Sequence, residues 1–106
     1  MANTFKLATD TAVGTSAATI YTTPSATATT VIGMTIANIV TSQIEVDVQV
    51  TNNDGDNVYV IKNAPIPVGS SLVVIGGEQK VVLEASDTIT VTSNTASSAD
   101  VALSIL

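Results

Sequence analysis

Three side chains with hard oxygen ligands stand at alternate positions in the segment TNNDGDN, namely Asn52, Asp54 and Asp56. Carboxylate and amide oxygens are the ligands that calcium prefers, so this spacing makes a weak calcium-site candidate. The EF-hand pattern is not met, because the glycine is misplaced and no glutamate stands at the twelfth position. Hairpin turns select Asn, Asp and Gly for backbone reasons alone. We therefore expect a turn without metal or cofactor, and calcium remains the alternative.

The carboxylates of Glu45 and Asp47 share one face of an expected strand, about 7 Å apart. That separation could suit a glycosidase, although outward carboxylates on a strand are more commonly solvated. The chain contains no histidine and no cysteine, and no lysine stands beside a serine at a diagnostic spacing. The usual nucleophile–base pairs and thiolate metal sites are therefore missing from the sequence. We expect no catalytic residue and no enzymatic activity.

The charge balance limits the class of partner. Nine acidic residues stand against three lysines, Lys6, Lys62 and Lys80, which gives a net charge of −6. Because nucleic-acid binding neutralises phosphates with lysine and arginine, we expect no nucleic-acid partner and no attraction to anionic lipid. Only 11% of the residues are charged, against about 25% in ordinary soluble domains. A β-rich surface this poor in charge tends to associate, so we expect neighbouring subunits to cover part of it.

No targeting or membrane segment is recognisable. The start, MANTFKLATDTAVG, has one lysine and no continuous apolar run, so it does not read as a signal peptide. No segment approaches the roughly 20 apolar residues that a membrane helix needs. We expect a protein made without an export signal and without a membrane partner.

Alternating apolar and polar residues predict half-buried strands. In QIEVDVQVT, residues 43–51, the aliphatic side chains alternate with polar ones, which puts the two sets on opposite faces. DTITVTS and DVALSIL repeat the pattern. The side chains predicted to face the core are Ile44, Val46, Val48, Val50, Ile89, Val91, Val101, Leu103 and Ile105.

Other runs are apolar on both faces, which predicts central strands or strands against another subunit. TTVIGMTIANIV, residues 29–40, would place Ile32, Met34 and Ile36 on one face and Val31 and Ala37 on the other. A helix is the alternative for these residues, but their β-branched side chains favour a strand.

Turn residues separate the predicted strands. Asp54-Gly55 indicates a hairpin, and Gly76-Gly77 indicates a second one between residues 71–75 and 80–84. Pro65 and Pro67 indicate an extended or edge segment before a turn. About eight short strands at this spacing predict an all-β chain, an antiparallel β-sandwich or jelly-roll-like fold. We expect one domain over residues 1–106, with an extended N-terminal arm at about 1–16.

Several of these segments resemble a known group of proteins. IPVGSSLVVIGGEQKVVLEASDTITVTS, AATIYTTPSATATTVIGMTIANI and ADVALSIL are similar to a recurring pattern in small β-rich virion structural proteins of tailed phages, of the marine or cyanobacterial type. The likeness covers most of the chain from about Ala17, and it differs at Ser86, where relatives often have glycine. The resemblance implies a β-sandwich module used in assembly, with no catalytic residues to carry over.

From this resemblance and the charge balance we expect a capsid decoration or cement protein on the outer surface of a phage head. Its expected partners are the major capsid protein and other copies of the chain, with a trimer favoured, and its expected location is the virion, assembled in the host cytoplasm. The alternatives are a tail, baseplate or fibre module and a receptor- or glycan-binding adhesin, for which the aromatic residues are few. Tyr59 is expected to be buried or half-buried. The residues predicted to form interfaces are Asn3, Phe5, Leu7, Tyr21, Ile66 and Pro67.

Overall fold

The computed structural model describes residues 5–76 and 79–106. Within these ranges the chain forms nine β-strands and no α-helix, which confirms the all-β prediction and excludes the helical alternative for residues 29–40. The strands are β1 (Lys6–Val13), β2 (Ala18–Thr22), β3 (Thr29–Asn38), β4 (Ile44–Thr51), β5 (Asn57–Ile66), β6 (Ser71–Ile75), β7 (Val81–Leu83), β8 (Thr88–Ser93) and β9 (Ala99–Ile105). The described residues contain no helix with the length and hydropathy of a membrane span.

The strands form two antiparallel sheets packed face to face. The first sheet has the order β1-β9-β3-β6, with β7 also paired to β3, and the second has the order β2-β8-β4-β5. The two halves of the chain pair in nested order, because β1 pairs with β9, β2 with β8, β3 with β6 and β7, and β4 with β5. This folded-over ribbon is the strand order of a jelly roll. Of the two predicted architectures, a simple antiparallel β-sandwich and a jelly roll, the structure therefore has the jelly roll.

The core lies between the sheets, and the predicted inward faces fill it. Val46 and Val48 of β4, Ile89 and Val91 of β8 and Leu103 of β9 are fully buried. The residues between them on β4 and β8 are more exposed, as the two-residue period of a strand requires. The alternation in these three strands therefore predicted their orientation correctly.

The predicted faces of β3 are wrong at the start of the strand. The pairing with β9 shifts between Val31 and Gly33, so Ile32 is the extra residue of a β-bulge. Because a one-residue shift reverses the faces, Val31 points into the core together with Met34 and Ile36, while Ile32 is only half-buried.

The hairpin predicted at Gly76-Gly77 is also wrong. Strands β6 and β7 pair with β3 rather than with each other, and both run antiparallel to it. Ala37 of β3 pairs with Ser71 of β6, and Thr29 of β3 pairs with Leu83 of β7, so the two strands follow one another along the same edge. Gly77 lies outside the described residues. Strands β6 and β7 therefore run in the same direction and do not form a hairpin with each other.

The hairpin predicted at Asp54-Gly55 is confirmed. Strand β4 pairs antiparallel with β5, and β5 is an edge strand of the second sheet. Pro65 lies in this strand, where a missing N–H costs no ladder hydrogen bond on the open side. The Pro67–Ser70 turn then leads to β6, with Gly69 at a φ of 74°.

Two buried polar side chains join loops that are distant in sequence. Asn38 donates from Nδ2 to the carbonyl oxygens of Ser42 at 2.8 Å and Ile66 at 2.9 Å, and its Oδ1 accepts the N–H of Val40 at 2.9 Å. The side chain therefore connects the segment after β3 to the end of β5.

Asp87 makes a comparable connection among another set of loops. Its carboxylate accepts the N–H groups of Asn53 at 3.0 Å and Glu84 at 2.8 Å, and its carbonyl oxygen accepts the N–H of Thr23 at 2.9 Å. The neighbouring Ser86 has a φ of 69°, a left-handed conformation that glycine adopts at lower cost.

Candidate assembly surface

The carboxylates that could have formed a catalytic pair have different surroundings. Glu45 is exposed, whereas Asp47 accepts the N–H of Asn63 at 2.7 Å and lies 3.9 Å from the Lys62 Nζ. Asn63 has a φ of 54° at a register shift between β4 and β5. Asp47 therefore supports an irregular edge strand. Among the described residues, no group of three or more His, Cys, Asp or Glu side chains is placed to hold a metal ion.

The side-chain oxygen of Asn52 organises the β4–β5 turn. Its Oδ1 accepts the N–H groups of Asp54 and Asp56, each at 3.0 Å, and its backbone N–H donates to the Asp56 carbonyl oxygen at 3.0 Å. Asp54 and Asp56 are exposed. The residues of the calcium candidate are thus used as turn-forming residues, which is the arrangement expected without metal.

We expect calcium to leave the thermal stability of the chain unchanged. Ligand binding to the folded state alone would raise Tm, and millimolar calcium would be enough to load a weak site. The measurement is a calorimetric melt with about 5 mM calcium, which exceeds the dissociation constants of about 0.1–1 mM of weak calcium sites, and with magnesium as the control. A rise of several degrees with calcium only, abolished by Asp54→Asn, would establish the metal site instead.

The predicted interface residues divide into exposed and buried ones. Phe5 and Leu7 are 71% and 68% exposed, and Pro67 is exposed in the turn after β5. Ile66 is wrong as an interface residue, because it is fully buried opposite Ile44. Its two flanking prolines suggested an exposed segment, but the strand continues to Ile66 and turns it inward.

The remaining candidates are Tyr21 and Asn3. Tyr21 is half-buried, packs against the core, and has its hydroxyl 3.4 Å from the Thr29 Oγ1, so it fastens β2 to the start of β3. Asn3 lies outside the described residues. Tyr59, expected to be at least half-buried, is 47% exposed. The Lys62 Nζ lies 4.5 Å from its ring centroid and covers one face of the ring.

The outer faces of the two sheets differ in chemistry. On the second sheet the outer residues of β4 and β8 are acids, glutamine and threonines, which make a polar surface. On the first sheet, four residues that pair across β1, β9, β3 and β6 form an uncharged outer row. They are Thr9, Ala102, Thr35 and Val73. Val73 and Val82 on the β6–β7 edge are 65% and 63% exposed. Exposed aliphatic side chains beside small uncharged ones are typical of a surface that another protein covers.

A depression of about 390 Å³ lies on the first sheet toward one end of β1. Its lining residues come from three adjacent strands and are Thr9, Asp10, Thr11, Thr35, Ala37, Asp100, Val101 and Ala102. The side chains of its floor are small, and Asp10 and Asp100 add negative charge. No motif in the sequence indicates this site, because its residues meet only through the pairing of β1, β9 and β3.

Comparison with known proteins identifies a similar fold. No protein-family model and no curated protein matches the chain. A chain in the solved structure of infectious bursal disease virus, Gx strain, superposes with a TM-score of 0.53 at 12% sequence identity. The match covers 97% of the present chain and 33% of the viral one, so this chain spans about a third of that protein. The two therefore share a β-sandwich fold.

Proposed function

We propose that the chain is a non-enzymatic structural protein of a virion. In its specific form, the proposal is a decoration or cement protein bound to the major capsid protein on the outside of a tailed-phage head, assembled in the host cytoplasm as a homo-oligomer, with a trimer favoured. The observation that carries the proposal is the jelly roll matched over 97% of its length by a chain from a virus structure. Jelly rolls are frequent in viral capsids, which makes that match informative.

The surface chemistry supports an assembly role. The uncharged outer row of the first sheet and the exposed Leu7, Val73 and Val82 provide apolar area that contributes about 25 cal/mol per Å² when a partner covers it. A net charge of −6 would be repelled by packaged DNA, which favours the outside of the shell. Binding only to the assembled shell would stabilise that shell by mass action.

A glycan-binding adhesin is less well supported. Sugar sites use open aromatic faces, whereas Tyr59 has one ring face covered by Lys62 and Tyr21 is half-buried. A tail, baseplate or fibre module uses the same surface chemistry as a decoration protein. The number of copies distinguishes it, because heads carry many more equivalent sites than tails do.

The test is the copy number of this chain per purified particle, measured by quantitative mass spectrometry against the major capsid protein. We expect hundreds of copies, as a decoration protein on an icosahedral shell requires. A few to tens of copies per particle would indicate that the chain belongs to the tail or to a vertex instead. Its absence from particles would refute the virion role, and glycan binding by the free protein would then become the leading function.

A further inference from the structure

Phe5 is the single phenylalanine of the chain, and it is 71% exposed beside the start of the edge strand β1. An aromatic ring in water leaves a large apolar area uncovered, of the order of 150–250 Å² when fully accessible. We propose that Phe5 and Lys6 of one copy dock into the β1–β9–β3 depression of a second copy. The inference rests on the proposed assembly role and names the contact between copies.

The depression cannot be filled by the same chain's Phe5. Thr9 pairs with Ala102 on the floor of the depression. Phe5 lies four residues before Thr9 along the strand, a separation of about 13 Å at the rise of a β-strand. The ring and the depression are therefore at different places along one edge of the molecule. Docking between them joins two copies head to tail.

The charges of the two surfaces are complementary. Asp100 and Asp10 both line the depression, and their Oδ1 atoms accept the backbone N–H groups of Ala12 at 3.0 Å and Thr11 at 2.8 Å. Neither carboxylate has an ion pair with a lysine among the described residues. Lys6 directly follows Phe5, is exposed, and has no ion pair within the same ranges. A docked Phe5 would bring this ammonium group to an acidic site of the neighbouring copy.

The size of the depression also matches that of a phenylalanine side chain. The floor includes the small side chains of Ala37, Ala102 and Thr35, within a depression of about 390 Å³. That space accepts one aromatic side chain. A head-to-tail contact repeated from copy to copy closes into a ring when the rotation permits it. The favoured trimer would be such a ring, with three equivalent Phe5 contacts.

Cysteine cross-linking tests the contact directly, because the chain has no cysteine of its own. Purified Lys6→Cys and Ala102→Cys proteins, both of which retain Phe5, are mixed, oxidised and separated on a denaturing gel. We expect disulfide-linked heterodimers to form at least about tenfold faster than in a mixture of Lys6→Cys with Thr92→Cys, whose cysteine lies on the second sheet. Within one chain the two positions exceed the Cα separation of about 7 Å that a disulfide allows. A double variant carrying both cysteines should give a discrete closed oligomer.

Two substitutions test the chemistry of the contact by sedimentation velocity. Phe5→Ala should weaken self-association by about tenfold or more, because it removes the aromatic side chain that the docking contact would bury. Val58→Ala is the control, since Val58 is 57% exposed on β5, the edge strand of the second sheet, and it should leave self-association unchanged. Asp100→Asn retains an acceptor for Ala12 and should weaken association and reduce its dependence on salt.

The outcomes separate this inference from the proposed function. Equal cross-linking in the Ala102 and Thr92 mixtures, or a chain that stays monomeric up to its solubility limit, would overturn the docking contact. Hundreds of copies per particle together with either result would leave the virion role standing. If the purified protein cross-links selectively but the chain is absent from particles, the docking contact stands and the virion role is refuted.

Discussion

Val46→Asp should abolish folding. Val46 is fully buried on β4, an interior strand of the second sheet, where it pairs with Ala64 on one side and Ser93 on the other. An aspartate there would place an unpaired charge in an aliphatic core and remove the apolar contacts of the valine. We expect a penalty of about 5 kcal/mol or more, which is comparable to the entire stability of a small domain. Far-ultraviolet circular dichroism should show a disordered chain.

Val58→Asp is the matched control for this substitution. It replaces the same residue type by the same charged one, so both variants carry one additional negative charge. Val58 lies on the neighbouring edge strand β5 and is 57% exposed. We expect a cost of at most about 1 kcal/mol, from the lower β-propensity of aspartate. A folded Val46→Asp variant with native-like stability would show that the packing of the two sheets is not the one described.

The sequence was sufficient to predict the orientation of strands whose apolar residues alternate. In β4 and β8 the alternation is regular, so Val46 and Ile89 could be assigned to the core from the two-residue period alone. The Asp54-Gly55 turn was predictable for a different reason. Its residues form the turn through local contacts, chiefly the Oδ1 of Asn52, so no information about the rest of the fold was needed.

Features that depend on pairing between distant strands were not predictable. The bulge at Ile32 reverses one face of β3, and it exists because of the register between β3 and β9. A glycine pair indicates a change of direction, but whether β6 and β7 pair with each other or both with β3 is decided by the edge that β3 leaves open. Ile66 was misassigned for a related reason, because its burial follows from pairing with Ile44.

The candidate assembly site was predictable only in part. Phe5 and Leu7 could be proposed from sequence, because they lie in the segment expected to form an extended N-terminal arm. The depression that we propose as the docking site of Phe5 combines residues near positions 10, 36 and 101. Asp100 therefore has no local sequence signal that would identify it. Asn38 was hidden in the same way, since TIANIV reads as an apolar run although the side chain of its asparagine forms three hydrogen bonds at that end of the sandwich.

Asn38→Leu should destabilise the fold by about 3 kcal/mol. Leucine has the same branched arrangement of four side-chain heavy atoms as asparagine, but its side chain cannot form hydrogen bonds. The carbonyl groups of Ser42 and Ile66 and the N–H of Val40 would each lose a partner. A buried polar group without a partner costs about 1–3 kcal/mol. Urea denaturation should show a lower midpoint with an unchanged m-value, because the folded and unfolded states keep their compactness.

The same substitution at Asn53 is the control that isolates the contribution of the Asn38 side-chain hydrogen bonds. Asn53 is exposed in the β4–β5 turn, and only its backbone N–H forms a hydrogen bond, to Asp87. Asn53→Leu should therefore change the unfolding free energy by no more than about 0.5 kcal/mol. If Asn38→Leu were equally mild, the loops after β3 and β5 would be held by their strands alone. A loss confined to Asn38 would instead show that one buried amide fixes this end of the jelly roll, where Val68 and Ile39 are exposed.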